Sequence, residues 1–169
     1  MENPTAPAWF VLRTGTMQMK VAQALRAKGF EVFVPMQERR RQWSDRVKAY
    51  LAPIFTSFVF CRYEPKDRIA VLSTPGVSRE RDRGGMPLAI PDADIEHLRR
   101  IAELSYPAEE CDPLPIEGQE VQIKGRPDIR GFLIDGGTVC RVLIRFESIG
   151  RAVVLQIPLD ALEIPGAED

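Results

Sequence analysis

The chain is predicted to be α+β, a helix-covered antiparallel sheet of the α/β sandwich kind followed by a small β-barrel. Three observations carry this. Up to residue 104, short aromatic and β-branched runs alternate with helical segments. A proline- and acid-rich stretch, Ser105-Tyr-Pro-Ala-Glu-Glu-Cys-Asp-Pro-Leu-Pro115, then breaks all periodicity. Beyond it come short alternating strands and glycine turns with no helical segment. The expected organisation is a first domain over 8–104, an extended linker over 105–115 and a barrel over 116–165.

Each element follows from local chemistry. Trp9-Phe-Val-Leu-Arg13 reads as a strand. Thr16 is placed to cap a helix through Lys28, with Met17, Val21 and Leu25 recurring on one face and Gly29 taking the left-handed stop. Phe30 to Val34 is a strand ended by Pro35, and the polar, basic run Arg39 to Tyr50 fits a hairpin. The segment Tyr50 to Cys61 holds the most apolar strand of the chain. Pro65 opens a short helix carrying Ile69 and Leu72, stopped by Thr74-Pro75-Gly76. Asp92, Asp94 and Glu96 crowd the start of a last helix, where negative charge meets the positive end of the helix dipole, and Ile95, Leu98 and Ile101 form its buried stripe. In the barrel, Glu120 to Lys124, Gly131 to Ile134, Arg141 to Phe146 and Ala152 to Ile157 are strands, with a turn at Asp135-Gly-Gly137.

With 44 % apolar and 28 % charged residues, the composition is that of a globular protein. The net charge of −1 hides an asymmetry: residues 1–104 hold 17 basic and 12 acidic side chains, residues 105–169 hold 6 and 12. A basic part joined to an acidic part suggests different partners for each. No run approaches the ~20 apolar residues of a membrane helix, and Met1 to Ala8 lacks the basic and apolar regions of an export signal. Cys61, Cys111 and Cys140 form no Cys-x-x-Cys pair, which argues against a disulfide scaffold or zinc site and suits a reducing cytoplasm. A cytoplasmic, membrane-free protein is expected.

No catalytic constellation is legible in the sequence. His97 is the only histidine and lies within a predicted helix with no nucleophile beside it. Gly84-Gly85 and Gly136-Gly137 read as turns rather than phosphate loops. Cys61 reads as a small buried hydrophobe, and neither it nor Cys140 has a histidine partner nearby in sequence. No enzyme, metal or cofactor is expected.

Two features point elsewhere. Arg39, Arg40, Arg41, Arg46 and Lys48 surround Trp43, with Asp45 the one acid among them. Cations attract phosphates irrespective of base sequence, and an exposed indole can stack on an unpaired base, so this hairpin is a candidate nucleic-acid finger; the plainer reading is a solvated, charged tip. Arg79, Arg81 and Arg83 alternate with Glu80 and Asp82, so their charge largely cancels. Phe55, Phe58 and Phe60 read as lying on one strand, with Phe58 and Phe60 on the same face, and Trp9, Phe10, Phe30 and Phe33 add further rings to the same domain. Both a core and an exposed aromatic interface fit that pattern.

Together, Trp9-Phe-Val-Leu, Phe33-Val-Pro35, the basic hairpin, Ile54-Phe-Thr-Ser-Phe-Val-Phe60, Thr74-Pro-Gly-Val77 and Ile90-Pro-Asp-Ala-Asp-Ile95 resemble the N-terminal (NGN) domain of the NusG family of transcription elongation and antitermination factors. Gly118-Gln-Glu-Val-Gln-Ile-Lys-Gly125, with the chain from there to Ile164, resembles that family's SH3-like KOW barrel. The chain is more similar to specialised paralogs of the RfaH kind, which lack large insertions.

The resemblance implies a monomer that binds the β′ clamp helices and β gate loop of RNA polymerase and the non-template DNA strand, to modulate pausing, termination or antitermination. By position, Arg13, Phe58 and Phe60 match polymerase-contact positions, Asp67 and Arg68 lie near the segment that meets the β gate loop, and Arg39, Arg40 and Arg41 match the hairpin that faces DNA. The KOW barrel implies Rho or a small-subunit ribosomal protein as a further partner. Phe55-Thr-Ser-Phe58 stands where the family has Phe-Pro-Gly-Tyr. A ribosome-associated RNA-binding KOW protein is the alternative function, disfavoured by the acidic barrel.

Overall fold

In the computed structural model, residues 6–80, 82–83, 86–87, 89–113 and 118–166 are described. They fall into two compact units, one of Met1–Pro35 with Phe55–Ile95 and one of Met36–Ile54 with Glu96–Asp169.

The first unit is built on an antiparallel sheet in the order β2-β5-β1-β6, from Glu31–Phe33 (β2), Phe58–Tyr63 (β5), Ala8–Arg13 (β1) and Arg79–Glu80 (β6). A further short strand, Ala89–Ile90 (β9), also pairs with β1. In the central strands, Trp9 to Leu12 and Phe58 to Cys61 are buried residue after residue, so neither strand shows the alternation of a half-exposed sheet. Helix α1 (Gln18–Ala27) buries Val21 and Leu25 of the predicted face, with Ala22 beside them, whereas Met17 falls in the turn before the helix and is 42 % exposed. Its start differs from expectation. Thr16 does not cap it; Gly15–Met17 form a 3₁₀ turn, and Gln18 turns its amide inward to donate to the Phe58 carbonyl at 2.7 Å and to that of Phe55. Gly29 ends α1 at φ 92°, as read from the sequence. Helix α2 (Arg68–Leu72) follows a 3₁₀ turn at Pro65–Asp67. Gly76 sits at φ 95°, where an added Cβ would lie 2.6 Å from a Val21 methyl, so no larger residue fits without displacing α1.

The second unit carries the hairpin β3 (Met36–Gln42) and β4 (Val47–Pro53), most of α3 (Asp92–Glu103), and a six-stranded antiparallel sheet. The sheet runs β10-β14-β13-β12-β11-β15, from Ala108–Cys111 (β10), Arg151–Pro158 (β14), Val139–Phe146 (β13), Arg126–Asp135 (β12), Glu120–Ile123 (β11) and Leu162–Glu163 (β15). Register shifts at Gln122/Ile123 and Leu133/Asp135 bend the ladder. Gly131 permits close packing: a Cβ there would meet the Leu143 carbonyl oxygen at 2.5 Å. This is the expected SH3-like fold class. In α3, Asp92 and Asp94 occupy the first turn, and Ile95, Leu98 and Ile101 are buried as read from the sequence.

Part of the segment expected as an extended linker forms a paired strand. Ala108–Cys111 adds β10 to the edge of β14, and Arg151 on β14 donates from Nε to Glu110 at 2.7 Å and from Nη1 to Asp112. Two short strands, β7 (Asp82–Arg83) and β8 (Met86–Pro87), pair with each other. The Gly84-Gly85 turn, Arg81 and the Leu114–Pro115 end of the linker lie outside the described residues.

Candidate functional site

The basic run forms the hairpin that its composition suggests. Strands β3 and β4 pair with Arg39 opposite Tyr50, Arg40 opposite Ala49, Arg41 opposite Lys48 and Gln42 opposite Val47. The turn closes through the Trp43 amide, which donates to the Arg46 carbonyl at 2.8 Å. Because side chains alternate along a strand and opposed residues share a face, Gln37, Arg39, Arg41, Lys48 and Tyr50 lie on one face. Glu38, Arg40, Val47 and Leu51 lie on the other. Arg40 has Glu38 4.0 Å away, a solvent-exposed pair of little energetic weight. Arg41 stands directly across from Lys48, a like-charge pairing that costs stability in the absence of an anion. Trp43 is 53 % exposed, with Lys48 Nζ 5.9 Å from its ring centroid. Three features therefore coincide at the tip of the hairpin: two unneutralised cations, an open indole and a fixed backbone turn. That arrangement suits a phosphate backbone with an unstacked base.

At its base the same face is anchored. Gln37, only 5 % exposed, donates to the Tyr106 carbonyl at 2.6 Å and accepts from the Ala108 amide at 2.9 Å. Arg39 donates to the Ala108 carbonyl at 3.1 Å. Beside this contact lies a groove of roughly 410 Å³ whose walls include Arg39, Arg40, Tyr50, Pro107 and Glu109. Gln37 went unnoticed in the sequence, although counting back two residues from Arg39 places it on this face.

The aromatic strand reverses an expectation. Phe58 and Phe60, read as rings that could be left open for a partner, are 5 % and 0 % exposed. They form a cluster with Phe33 and Phe55. Phe55 stacks on Phe58 with centroids 4.9 Å apart, Phe58 and Phe60 meet edge to face at 5.7 Å, and Phe33 and Phe60 lie 6.0 Å apart. The physical reason is that β5 is flanked on both edges and Phe55, just before it, folds back onto it, so the rings satisfy one another. Of the two readings left open by pattern, the core is the one realised. Cys61 on the same strand is sealed as expected, and burial pushes its thiol pKa up to about 12, far from nucleophilic.

The other positions that the resemblance assigns to polymerase contact reach the surface to differing degrees. Arg13 is exposed at the end of β1, where its carbonyl accepts from the Ser78 amide at 2.9 Å. Asp67 is half-buried in the 3₁₀ turn before α2, Arg68 is exposed, and Ile69 beside it on α2 is 82 % exposed. His97 packs its ring 5.3 Å from that of Phe146, a structural role. Among the described residues no cluster of His, Cys, Asp and Glu could hold a metal ion, and no helix is long and apolar enough to cross a membrane.

Comparison with known proteins agrees with this architecture. A family described as "Transcription termination factor nusG" matches residues 7–99. Among solved structures, one titled "Domain interaction in Thermotoga maritima NusG" shares the fold with a TM-score of 0.62, at 19 % identity, over 94 % of this chain and 97 % of that one. No curated protein matches at the sequence level.

Proposed function

The chain belongs to the NusG family of transcription factors, and from that premise we propose that it is an elongation factor that grips RNA polymerase through residues 8–104 and contacts non-template DNA through its hairpin. Residues 116–165 are the barrel that recruits a further partner, Rho or a small-subunit ribosomal protein. No chemistry is needed: a ligand that binds a closed polymerase clamp better than an open one shifts that equilibrium by its differential affinity. Pausing and termination, which depend on clamp opening, then decline. The factor acts in the cytoplasm as a monomer and, having no large insertion, as a specialised paralog of the RfaH kind.

The observation that carries the reading is the exposed hairpin tip, where Arg41, Lys48 and Arg46 surround an open Trp43 in a member of this family. On the polymerase side, the packing of Phe58 and Phe60 changes their part: they are the rigid base of the docking region rather than its contact surface. Its accessible groups are Arg13 and Arg68, with Ile69 as the apolar anchor for the β′ clamp helices or β gate loop.

The test is retention of core RNA polymerase on the immobilised full chain, followed by transcription through a pause and a terminator with and without the protein. Polymerase is retained, read-through changes, and Ile69→Asp weakens retention while leaving the fold intact. Recovery of ribosomal RNA without polymerase would instead make this a ribosome-associated module.

A further inference from the structure

The outer edge of β10 is not bare. A strand edge exposes alternating carbonyls and amides that must find partners. Here the outward amide and carbonyl of Ala108, at the start of β10, are met by side chains of β3 rather than by another backbone. The Gln37 amide bonds Tyr106 and Ala108 with the donor-acceptor pair of a peptide group, and Arg39 takes the Ala108 carbonyl. On its inner edge β10 is a regular ladder strand, with Ala108 opposite Leu155 and Cys111 opposite Ala152. The hairpin base is thereby bound to the barrel sheet across some 70 residues of sequence, from 37 to 106 and 108. The remaining side chains of the hairpin, from Arg40 to Ala49, are exposed. Of the five cations in the run, Arg39 is committed to this contact, whereas Arg41, Arg46 and Lys48 stand beyond it.

We infer that Gln37, with Arg39, is a positioning residue for nucleic-acid binding: it fixes the angle at which the hairpin presents Arg41, Trp43 and Lys48 without touching the nucleic acid itself. The inference rests on the reading of the hairpin as a nucleic-acid finger. A two-stranded ribbon with no further sheet partner is marginal in water, so an anchor at its base removes orientational freedom that binding would otherwise have to quench. Gln37 is suited to this because it is buried, uncharged and satisfied at both ends of its amide.

The test uses the full chain, Gln37→Ala and, to guard against misfolding, Gln37→Glu, which keeps the acceptor for the Ala108 amide and removes the donor to Tyr106. Amide hydrogen exchange is followed at Ala108 and, as a folding control, at Val59 and Cys61. Binding of a fluorescent mixed-sequence single-stranded DNA of twelve nucleotides is measured over a salt series, with Arg41→Ala as the charge-loss reference.

The expected result is faster exchange at Ala108 in Gln37→Ala with unchanged protection in β5, and a Kd for the DNA raised ~3- to 10-fold with the salt slope of the wild type. Arg41→Ala, by contrast, lowers the slope by about one. Accelerated exchange with an unchanged or tighter Kd overturns the positioning role, and so does an Ala108 amide already unprotected in the wild type. Wild-type protein that does not bind the DNA overturns the nucleic-acid reading itself, an outcome distinct from the other two because the exchange data then still report the anchor.

Discussion

Strand β5 and the β3–β4 hairpin are separated by only residues 54–57, and both carry aromatic rings, yet those rings end in opposite environments. In β5, Phe58 and Phe60 are sealed against Phe33 and Phe55; in the hairpin, Trp43 and Tyr50 stand in solvent. The difference lies in the number of neighbours. β5 has β1 on one edge and β2 on the other, so its rings are covered from several directions. The hairpin strands pair only with each other, and four of the ten residues from Arg40 to Ala49 are cations whose burial would be costly.

The largest effect that could break this comparison is Phe60→Ala. It removes a ring with no exposed surface and should lower stability by about 3–5 kcal/mol, read as a shift of the urea midpoint at constant slope. An unmoved midpoint would show that the cluster is not core. On the opposite face of the same strand, Cys61 offers a pH test. Its folded pKa is raised from 9.0 to about 12, so between those values the unfolded chain has lost a proton that the folded chain keeps, and stability falls as pH rises. The fall approaches about 1.4 kcal/mol per pH unit within that window. The slope difference between wild type and Cys61→Ala isolates it, and identical slopes would place the thiol in contact with water.

The hairpin predicts the reverse pattern. Trp43→Ala should change stability by under about 0.5 kcal/mol while weakening single-stranded DNA binding by about 1–3 kcal/mol, the worth of one stacked base. A large loss of stability would mean that the indole is core after all. The smallest effect expected is that of Lys48→Ala. Relieving the charge opposite Arg41 should raise stability by about 0.2–1 kcal/mol while reducing the salt dependence of DNA affinity. A variant that is both less stable and no weaker in binding would remove the strain argument for the tip.

Much of this was legible in the chain. The 3.6-residue recurrence of Val21 and Leu25, the Gly29 stop and the stripe Ile95, Leu98 and Ile101 are local properties, and they came out as read. The hairpin followed from a basic run between two apolar ones, and the two faces of β3 and β4 follow from parity once the register is known. The start of α1 was misread because Thr16 looks like a cap, whereas Gln18 found two carbonyls about 40 residues downstream.

The order of strand and helix, the family likeness and the location of the cationic turn rest on patterns within a dozen residues, which propensity and alternation specify directly. Whether Phe58 and Phe60 are open or sealed, and whether the acidic stretch after α3 hangs free or becomes β10 pinned by Gln37, Arg39 and Arg151, depends on groups brought together from distant positions. An aromatic ring or an extended backbone carries the same local signal in either situation. Only the neighbours that folding delivers supply the burial and the hydrogen bonds that separate one from the other.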